Sequence, residues 1–405
     1  MYCQNLESIT VHDDNPNYTA DDGILYDKSK TKLICYPLAK EGDTYYVPTT
    51  VTQFDYNVFL WQTTLKKIIF LHDNSTYPIP SSGGFMSDSE SYKAFVKKGL
   101  KTTYTTAWGA SYSDRIFELD LEQATIEITG YDTYSDGVKY TDYDGNPKTP
   151  SVTVTLGGLP LKLKDNPSDP YDYEITSYSN NTAIGTATVN ITGHGDFAGT
   201  TGAKDFYITR KIVISGATGH YSTYYNFDAV PLTRPSGLRA YKVTGVDFGE
   251  GSTTIEEIDY LPAGTPVLLY KSDGYCNGTY HLKATTGDVP SYSANYIGKG
   301  ENDARDYESL MAGKTAIYVL RGDKFYRAYS GTLPANRCYI ANPTAGTRAI
   351  PDYLEIGEGD GTTGLKSIEN GELKIDNYYD LSGRRVLYPT KGGVYIYNGK
   401  KIVIK

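Results

Sequence analysis

The chain has 405 residues, of which 21% are charged and 39% hydrophobic, and its formal net charge is −9. This length exceeds one ordinary hydrophobic core and predicts several domains, and the composition excludes an intrinsically disordered chain. Lysine and arginine do not cluster outside the C-terminal tail, which argues against nucleic acid as a partner, and no apolar run reaches the roughly 18 residues of a transmembrane segment. The 40 tyrosines, 41 glycines and 19 prolines favour β-structure with many short connections.

The first segment, residues 1–118, contains a phrase that occurs twice. Residues 6–11 and 65–70 both read L-x-x-I-x followed by an apolar residue, with turn signals between the two copies. Such recurrence predicts a solenoid, in which each unit buries its apolar face against its neighbours. Between the copies, residues 24–26 and 33–36 flank the polar turn 27–30, which predicts a β-hairpin.

A helix is predicted near the end of this segment. Ser87 and Glu90 have the spacing of a capping box, which predicts a helix over residues 88–99 that closes the solenoid. Earlier, Val58 and Phe59 are expected in a short convex or helical piece before Leu65.

The motifs N-P-N-Y at 15–18, D-G-I-L-Y-D-K at 22–28, L-I-C-Y-P at 33–37 and V-P at 47–48, with the two L-x-x-I phrases, resemble the BspA-like leucine-rich-repeat family of bacterial cell-surface proteins. The resemblance covers only this first segment and implies a short leucine-rich-repeat domain. Val58-Phe59 stands where the family often has Ala-Phe. Because residue 6 would already lie inside a repeat, we expect a trimmed fragment whose signal peptide lies upstream.

The second segment, residues 119–215, is predicted to be a β-sandwich. Apolar and polar residues alternate strictly over 152–156 and 187–191, which predicts strands with one buried face. Several such strands within one segment favour a sandwich. The motifs D-Y-x-I, Y-S-N-N, G-T-A-T-V and G-x-G-x-F-x-G, in this order over 172–199, resemble the small Ig-like stalk repeats of bacterial surface proteins.

The third segment, residues 216–361, is predicted to be all-β with two related halves. Residues 261–269 and 333–340 both read L-P-A-x-x-x and continue into an apolar strand. Each copy is expected to be a turn that leads into a strand of one half. The phrases resemble a domain found near the ends of Bacteroides-type secreted proteins, and this resemblance implies no activity.

The tail, residues 362–405, follows a glycine-rich stretch at 357–364 that predicts a flexible linker. Asn398-Gly399 between alternating apolar residues predicts a hairpin. The motifs Y-D-L-S-G-R-R-V at 379–386 and G-V-Y-I-x-N-G-K-K at 393–401 resemble the C-terminal Ig-like sorting domains of Bacteroidetes secreted proteins, which implies attachment to the cell envelope.

No motif predicts catalysis, a metal or a cofactor. There is no G-x-S-x-G elbow, the G-x-G-x-x-G match at 359–364 precedes extended rather than helical sequence, and residues 313–315 lack the glycine of a phosphate loop. His194 between two glycines is expected to be a turn residue. Residues 142–146 place oxygen ligands at alternate positions, as in a Ca²⁺ loop, but lack its distal glutamate, so a β-turn is favoured.

The four cysteines are far apart and lack zinc-ligand spacing. We expect buried free thiols, and a disulfide between Cys276 and Cys338 stays open as an alternative. The carboxylates of a glycosidase cannot be paired from sequence, so a glycan-active enzyme also stays open.

The predicted architecture is mainly β and multidomain: a short leucine-rich-repeat solenoid with a capping helix, an Ig-like β-sandwich and further all-β domains. The predicted function is non-enzymatic adhesion to a host extracellular protein or glycan, in an extracellular or cell-surface location. The alternative is a carbohydrate-binding protein that acts through residues 216–361. Side chains that alternate with the inward Ile9 and Val11 are expected to face outward, so Ser8, Thr10, Lys67 and Ile69 are the candidate ligand-binding residues.

Overall fold

The structure, a computed structural model, divides the chain into two compact units, Met1–Ile208 and Thr209–Lys405. It is mostly β, as predicted. In the described part of the chain, no helix is long and apolar enough to span a membrane. The structure describes residues 3–56, 58–59, 61–73, 75–81, 92–166, 168–285, 297–298, 303–342 and 350–358 and, in the tail, 365–369, 372–375, 378–379, 385–386, 394–397 and 400–403.

Among its described residues, the first unit contains short strands, one α-helix, α1 (Lys101–Trp108), and 3-10 helices at Ala110–Arg115, Leu121–Gln123 and Gly195–Phe197. Its last strand continues into the second unit. The strands are β1 (Tyr18–Asp21), β2 (Ile24–Asp27), β3 (Lys32–Cys35), β4 (Thr44–Val47), β5 (Gln53–Phe54), β6 (Lys67–Phe70), β7 (Lys93–Val96), β8 (Ile116–Glu118), β9 (Thr125–Thr129), β10 (Asp132–Thr133), β11 (Lys139–Asp142), β12 (Ser151–Leu156), β13 (Leu159–Pro160), β14 (Tyr173–Ser179), β15 (Gly185–Gly193) and β16 (Thr201–Ile214).

The repeat region begins with a small sheet of order β1-β2-β3-β5. The predicted hairpin is confirmed, because β2 and β3 pair antiparallel. The carboxylate of Asp27 closes the turn by accepting hydrogen bonds from the backbone N–H groups of Thr31 and Lys32, each at 2.7 Å. These bonds hold the pKa of Asp27 below its ordinary value, against the opposing effect of burial.

A second, parallel sheet of order β4-β6-β7-β8 carries the repeat. Tyr45, Ile68, Ala94 and Ile116 lie side by side in adjacent strands, at the roughly 20–29-residue spacing of leucine-rich repeats. One face of this sheet is buried in an apolar core together with the aromatic rings of Phe59, Tyr92 and Tyr104. The L-x-x-I phrase at 65–70 therefore includes a repeat strand.

The phrase at 6–11 was predicted as a matching strand, and this is wrong. This segment lies in no strand. The backbone N–H of Ile9 donates a hydrogen bond to the Gly23 carbonyl at 2.9 Å. The backbone of residues 6–11 therefore runs beside the β1–β2 turn as an irregular segment and joins no sheet.

The predicted helix over 88–99 is also wrong in position. Residues 93–96 form β7, while residues 88–91 lie outside the described part. Ala94 and Val96 are buried in the repeat core and Phe95 lies on the opposite face, a period-two pattern that suits a strand between two parallel neighbours. The helix α1 begins only after Gly99, whose φ is +83°.

Residues 121–208 form a two-sheet sandwich, with one sheet of order β13-β12-β9 and another that includes β10-β11-β16-β15-β14. The predicted alternation is confirmed. Val152, Val154 and Leu156 of one sheet, with Val189 and Ile191 of the other, are buried in a common core.

In the part of the second unit that the structure describes, there is one short helix, α2 (Tyr307–Met311). Its strands are β17 (Tyr221–Asn226), β18 (Leu232–Thr233), β19 (Arg239–Asp247), β20 (Ser252–Ile258), β21 (Tyr260–Leu261), β22 (Thr265–Tyr270), β23 (Gly278–Leu282), β24 (Ile297–Gly298), β25 (Arg305–Asp306), β26 (Ala316–Arg321), β27 (Lys324–Arg327), β28 (Thr332–Leu333), β29 (Tyr339–Asn342), β30 (Tyr353–Glu358), β31 (Leu365–Glu369), β32 (Glu372–Ile375), β33 (Tyr378–Tyr379), β34 (Arg385–Val386), β35 (Val394–Tyr397) and β36 (Lys400–Val403).

The third segment is a duplication, which confirms the two predicted halves. Its nine-stranded sheet has the order β17-β22-β19-β20-β30-β27-β26-β29-β24, so two similar four-stranded groups flank β30. Each half also has a two-stranded satellite, β18 with β21 and β25 with β28. The two L-P-A phrases occupy equivalent places, and Gly264 and Asn336 both have a φ of +59°.

In the tail, β31 and β32 pair, and a four-stranded sheet has the order β34-β33-β35-β36. Tyr397 lies opposite Lys400, which agrees with the predicted hairpin. Of the predicted linker at 357–364, residues 357–358 belong to β30, so the linker prediction is wrong for these two residues. Residues 359–364 and residues 398–399 lie outside the described residues. The predicted domain borders, 118/119, 215/216 and 361/362, stay predictions.

Candidate functional site

Two of the four predicted ligand-binding residues lie on the second sheet of the repeat region. Lys67 and Ile69 belong to β6, and Ile69 stands in a cross-strand row with Tyr46, Phe95 and Phe117. These side chains occupy the face opposite the repeat core, as the alternation predicted. We call this the ladder face.

The sandwich covers the ladder face at Ile69 and Phe95 but leaves Tyr46 51% exposed, so the expected exposure of Ile69 is wrong. Ile69 is 5% exposed and Phe95 is 2% exposed, and both belong to the sandwich core with Leu119, Leu161 and Phe197. An open row of large apolar side chains is unfavourable in water. The chain therefore buries these side chains within the unit, and a cavity of about 120 Å³ lies beside them.

Polar contacts surround the covered face. The Tyr46 hydroxyl donates to Asp196 at 2.6 Å, and the pKa of Tyr46 is raised by partial burial and by this carboxylate. The Lys93 ammonium contacts the Gly157 carbonyl and lies over the ring of Phe117. Gly157 has a φ of +58°, and a Cβ there would lie 2.8 Å from the Phe117 ring, so this close contact requires glycine.

The other two predicted residues lie elsewhere. Ser8 and Thr10 are exposed, as expected, but they belong to the irregular segment beside β2. The structure therefore does not place all four residues on one sheet face. A binding role for Ser8 and Thr10 stays a prediction.

The second unit contains two adjoining cavities that share Thr223 and Arg337. The first, called here the Arg337 cavity, has a volume of about 340 Å³. The second has about 390 Å³. Such volumes fall in the range of small-molecule sites. The Arg337 cavity is lined by Arg210, Lys211, Ile212, Val213, Ile214, Thr223, Tyr224, Phe227, Ala335, Asn336 and Arg337.

Arg337 is held by neutral acceptors. Its guanidinium donates to the Ser215 carbonyl at 2.6 Å, to the Thr223 carbonyl at 3.1 Å and to the Ser222 hydroxyl. No described carboxylate forms a salt bridge with it. Burial lowers the pKa of this guanidinium, but arginine remains charged at neutral pH. The cavity wall thus carries an arginine that has no described anionic partner.

Two buried polar atoms of residues that line this cavity lack hydrogen-bond partners within the described structure. They are the hydroxyl of Tyr224 and Oδ1 of Asn336. Tyr224 is 3% exposed, and burial raises the pKa of its hydroxyl. Unpaired buried polar atoms are uncommon in folded proteins, because each loses its hydrogen bonds to water without replacement.

A third feature is an exposed pair of tyrosines on the nine-stranded sheet. Tyr326 of β27 and Tyr353 of β30 are cross-strand neighbours with ring centroids 5.9 Å apart, and they are 37% and 42% exposed. The alternating residues Phe325 and Leu354 are buried on the opposite face. Lys324 pairs with Glu355 at 2.6 Å and places its ammonium over the Tyr353 ring. We call Tyr326 and Tyr353 the tyrosine pair.

Sequence reasoning missed Arg337, Tyr224 and the tyrosine pair as individual site residues. One usable signal was present in the duplicated phrase. Arg337 follows L-P-A-N in the second half, whereas Thr265 follows L-P-A-G in the first half. In the second half alone, the residue at this place is charged, and it donates hydrogen bonds to Ser215, Ser222 and Thr223. The surplus of tyrosine was noted, but exposure could not be assigned to particular rings.

The side chains that the sequence analysis considered for catalysis or Ca²⁺ binding form hydrogen bonds and ion pairs within the protein. His194 lies beside a 3-10 turn, as predicted, with Nε2 2.9 Å from Glu174, and Glu174 also contacts Lys164 at 2.5 Å. These two partners lower the pKa of Glu174. Asp144 accepts from the Asn146 N–H and pairs with Lys148, which agrees with a turn over 142–146. Among the described residues, no group of His, Cys, Asp and Glu could hold a metal.

None of the four cysteines forms a disulfide, so the alternative of a disulfide between Cys276 and Cys338 is wrong. Both of these thiols are buried, as the free-thiol prediction required, whereas Cys3 is exposed and Cys35 is partly exposed. Burial raises the pKa of the Cys276 thiol to about 11, and the thiol donates to the His220 carbonyl at 3.2 Å. Such a thiol is protonated and unreactive at neutral pH.

Comparison with known proteins found no matching family model and no matching curated protein. Among solved structures, the chain is similar to a leucine-rich repeat protein from Eubacterium ventriosum, with 31% identity over 24% of this chain and 26% of that chain, at a TM-score of 0.18. It is also similar to the pneumococcal vaccine antigen PcpA, with 22% identity over 22% of this chain and 20% of that chain, at a TM-score of 0.18. The matched parts thus span about a quarter and a fifth of the lengths of those two proteins.

Proposed function

We propose that this chain is a non-enzymatic binding protein of the cell surface or extracellular space, which attaches to host glycan through its third segment. In this proposal the BspA-like repeat region and the sandwich form one supporting body, because the ladder face is already occupied. The tail attaches the protein to the cell envelope.

The exposed tyrosine pair is the observation that carries the proposal. Two adjacent rings on a rigid sheet offer a flat apolar surface with polar hydroxyl tips, which suits a sugar ring that has both apolar and hydroxylated sides. The Lys324–Glu355 ion pair at 2.6 Å adds a donor and an acceptor at its edge. Because Phe325 and Leu354 anchor the same strands in the core, the rings need not order on binding.

A glycan array probed with the full chain tests this proposal. We expect binding to a limited set of glycans, and we expect the double variant Tyr326→Ala/Tyr353→Ala to lose most of it. Tyr275→Ala is the matched control, since Tyr275 is also an exposed tyrosine of the third segment but lies outside the pair. Equal binding by the double variant and the control would contradict a role of the tyrosine pair.

A second candidate is adhesion to a host protein through the irregular segment that carries Ser8 and Thr10, whose exposure favours it. A pull-down from host extracellular matrix with the wild type and Ser8→Ala/Thr10→Ala tests this candidate. We expect the variant to capture less of the partner. Equal capture by the two proteins would exclude the segment as the contact.

A further inference from the structure

We infer that the tyrosine pair selects glycans whose chains curve, such as an α-1,4-linked or a β-1,3-linked glucan, over flat β-1,4-linked chains. In a curved chain, each linkage turns one sugar ring relative to the next. The inference rests on the proposed function, because it names the class of glycan that the same site would take. It is carried by the angle between the two rings, by the length of the aromatic surface and by the contacts that hold the rings.

The angle between the two tyrosine rings is the main observation. Their centroids are 5.9 Å apart, but their planes are inclined to each other by 50°. An apolar sugar face makes most contact when it lies parallel to an aromatic ring, since dispersion attraction falls steeply with separation. A chain with nearly coplanar sugar rings can lie flat on one tyrosine and then meets the other at an angle. A chain that turns at each linkage can place one sugar flat on each ring.

Within the described part of the sheet, this aromatic surface is two rings long. Tyr326 lies between Tyr353 of β30 and Val319 of β26 in the register of the strands. Val319 is 3% exposed and belongs to the buried cluster that includes α2, so the open surface ends there. On the other side, the pairing of β20 with β30 begins at Ser252 opposite Glu355, and Tyr353 pairs with no residue of β20. The surface therefore suits two consecutive sugars of a chain.

Neighbouring side chains hold the tyrosine pair in this arrangement. Both strands are anchored by the alternating residues Phe325 and Leu354, each 0% exposed. The Lys324 ammonium lies 4.3 Å from the centroid of the Tyr353 ring, and the carboxylate of Glu355 holds it there at 2.6 Å. This ammonium occupies one face of Tyr353, so a sugar would stack on the other face. Because the rings are held before binding, the glycan has to match their inclination.

Isothermal titration calorimetry of the full chain with three uncharged glucose tetramers tests the inference. Maltotetraose is α-1,4-linked, laminaritetraose is β-1,3-linked and cellotetraose is β-1,4-linked, so the three ligands differ only in linkage. We expect at least one of the two curved tetramers to bind about tenfold more tightly than cellotetraose, because it stacks on both rings. Equal or tighter binding of cellotetraose, or binding of none of the three, would overturn the inference.

Single variants show whether the preference comes from the pair. With Tyr326→Ala or Tyr353→Ala, one ring remains and can stack on one sugar of any chain, so the preference for the curved tetramer should fall several-fold. Tyr326→Phe and Tyr353→Phe keep both rings and should keep the preference. Tyr275→Ala, at an exposed tyrosine outside the pair, should also keep it. A preference that survives in both alanine variants, or that is lost in the phenylalanine variants or in Tyr275→Ala, contradicts the inference.

The glycan array separates this inference from the proposed function. If Tyr326→Ala/Tyr353→Ala loses array binding while the wild type shows no preference for curved tetramers, the inference fails and the proposed function stands. If the double variant keeps its array binding, the tyrosine pair is not the glycan site, and the proposed function fails together with the inference.

Discussion

The ladder face of the repeat sheet and the tyrosine pair of the nine-stranded sheet are both rows of large side chains, yet one is largely buried and the other is exposed. On the ladder face, the side chains of Ile69 and Phe95 have no polar atom and are buried in the sandwich core, whereas Tyr46, which carries a hydroxyl, is 51% exposed. Tyr326 and Tyr353 carry hydroxyls and lie beside a charged pair, so they remain exposed without the same cost. Apolar content, rather than position on a sheet, decides which face is free for a partner.

Removing the largest buried ring of the ladder face should break this arrangement. We expect Phe95→Ala to lower the free energy of unfolding of the first unit by about 3–5 kcal/mol, because it leaves a cavity between two packed regions. Both tryptophans, Trp61 and Trp108, lie in the first unit, so tryptophan fluorescence in a urea titration follows that unit alone. A loss of less than about 1 kcal/mol would mean that the ladder face is not an essential core.

Acid should weaken the repeat core that lies behind the ladder face. His72 is fully buried there, its Nε2 lies 3.0 Å from the Val51 carbonyl, and burial lowers its pKa from 6.5. Since the unfolded state then binds the proton more readily, the contribution of His72 to stability is present above pH 6.5 and is lost as the pH falls below it.

The variant His72→Phe tests this pH dependence. It should be less stable than the wild type at pH 8, because the bond to Val51 is lost, but its stability should fall less between pH 7.5 and 5.5. Urea titrations at these pH values, again followed by tryptophan fluorescence, measure the difference. Parallel pH profiles for the two proteins would show that His72 does not titrate on unfolding.

The smallest effect on stability is expected at the exposed tyrosine pair. Tyr353→Ala should change the free energy of unfolding of the second unit by no more than about 1 kcal/mol, because the ring is already partly in water. Differential scanning calorimetry of the full chain measures the transition. A loss as large as that of Phe95→Ala would show that the tyrosine pair is a structural element and not a free surface.

Local patterns predicted the elements whose partners lie nearby in the chain. The hairpin of β2 and β3 depends on a turn closed by Asp27, and the strand β12 depends on its own alternation of Val152 and Val154. The two halves of the third segment were visible because Leu261 and Leu333 begin the same phrase. The helix over 88–99 failed because a capping-box spacing does not tell whether Ala94 and Val96 join a sheet.

The sequence alone determined the mainly β architecture, the sandwich strands and the duplication, since periodicity and turn residues act over a few positions. Only the tertiary structure decided that Ile69 is covered, that Tyr326 and Tyr353 are exposed together, and that Tyr224 meets Arg337 at one cavity. Each of these depends on contacts between residues far apart in the chain, and no local pattern encodes which distant surface comes to lie against which. The sequence shows that Arg337 stands where the first half has Thr265, but only the tertiary structure shows that Arg337 lines a cavity.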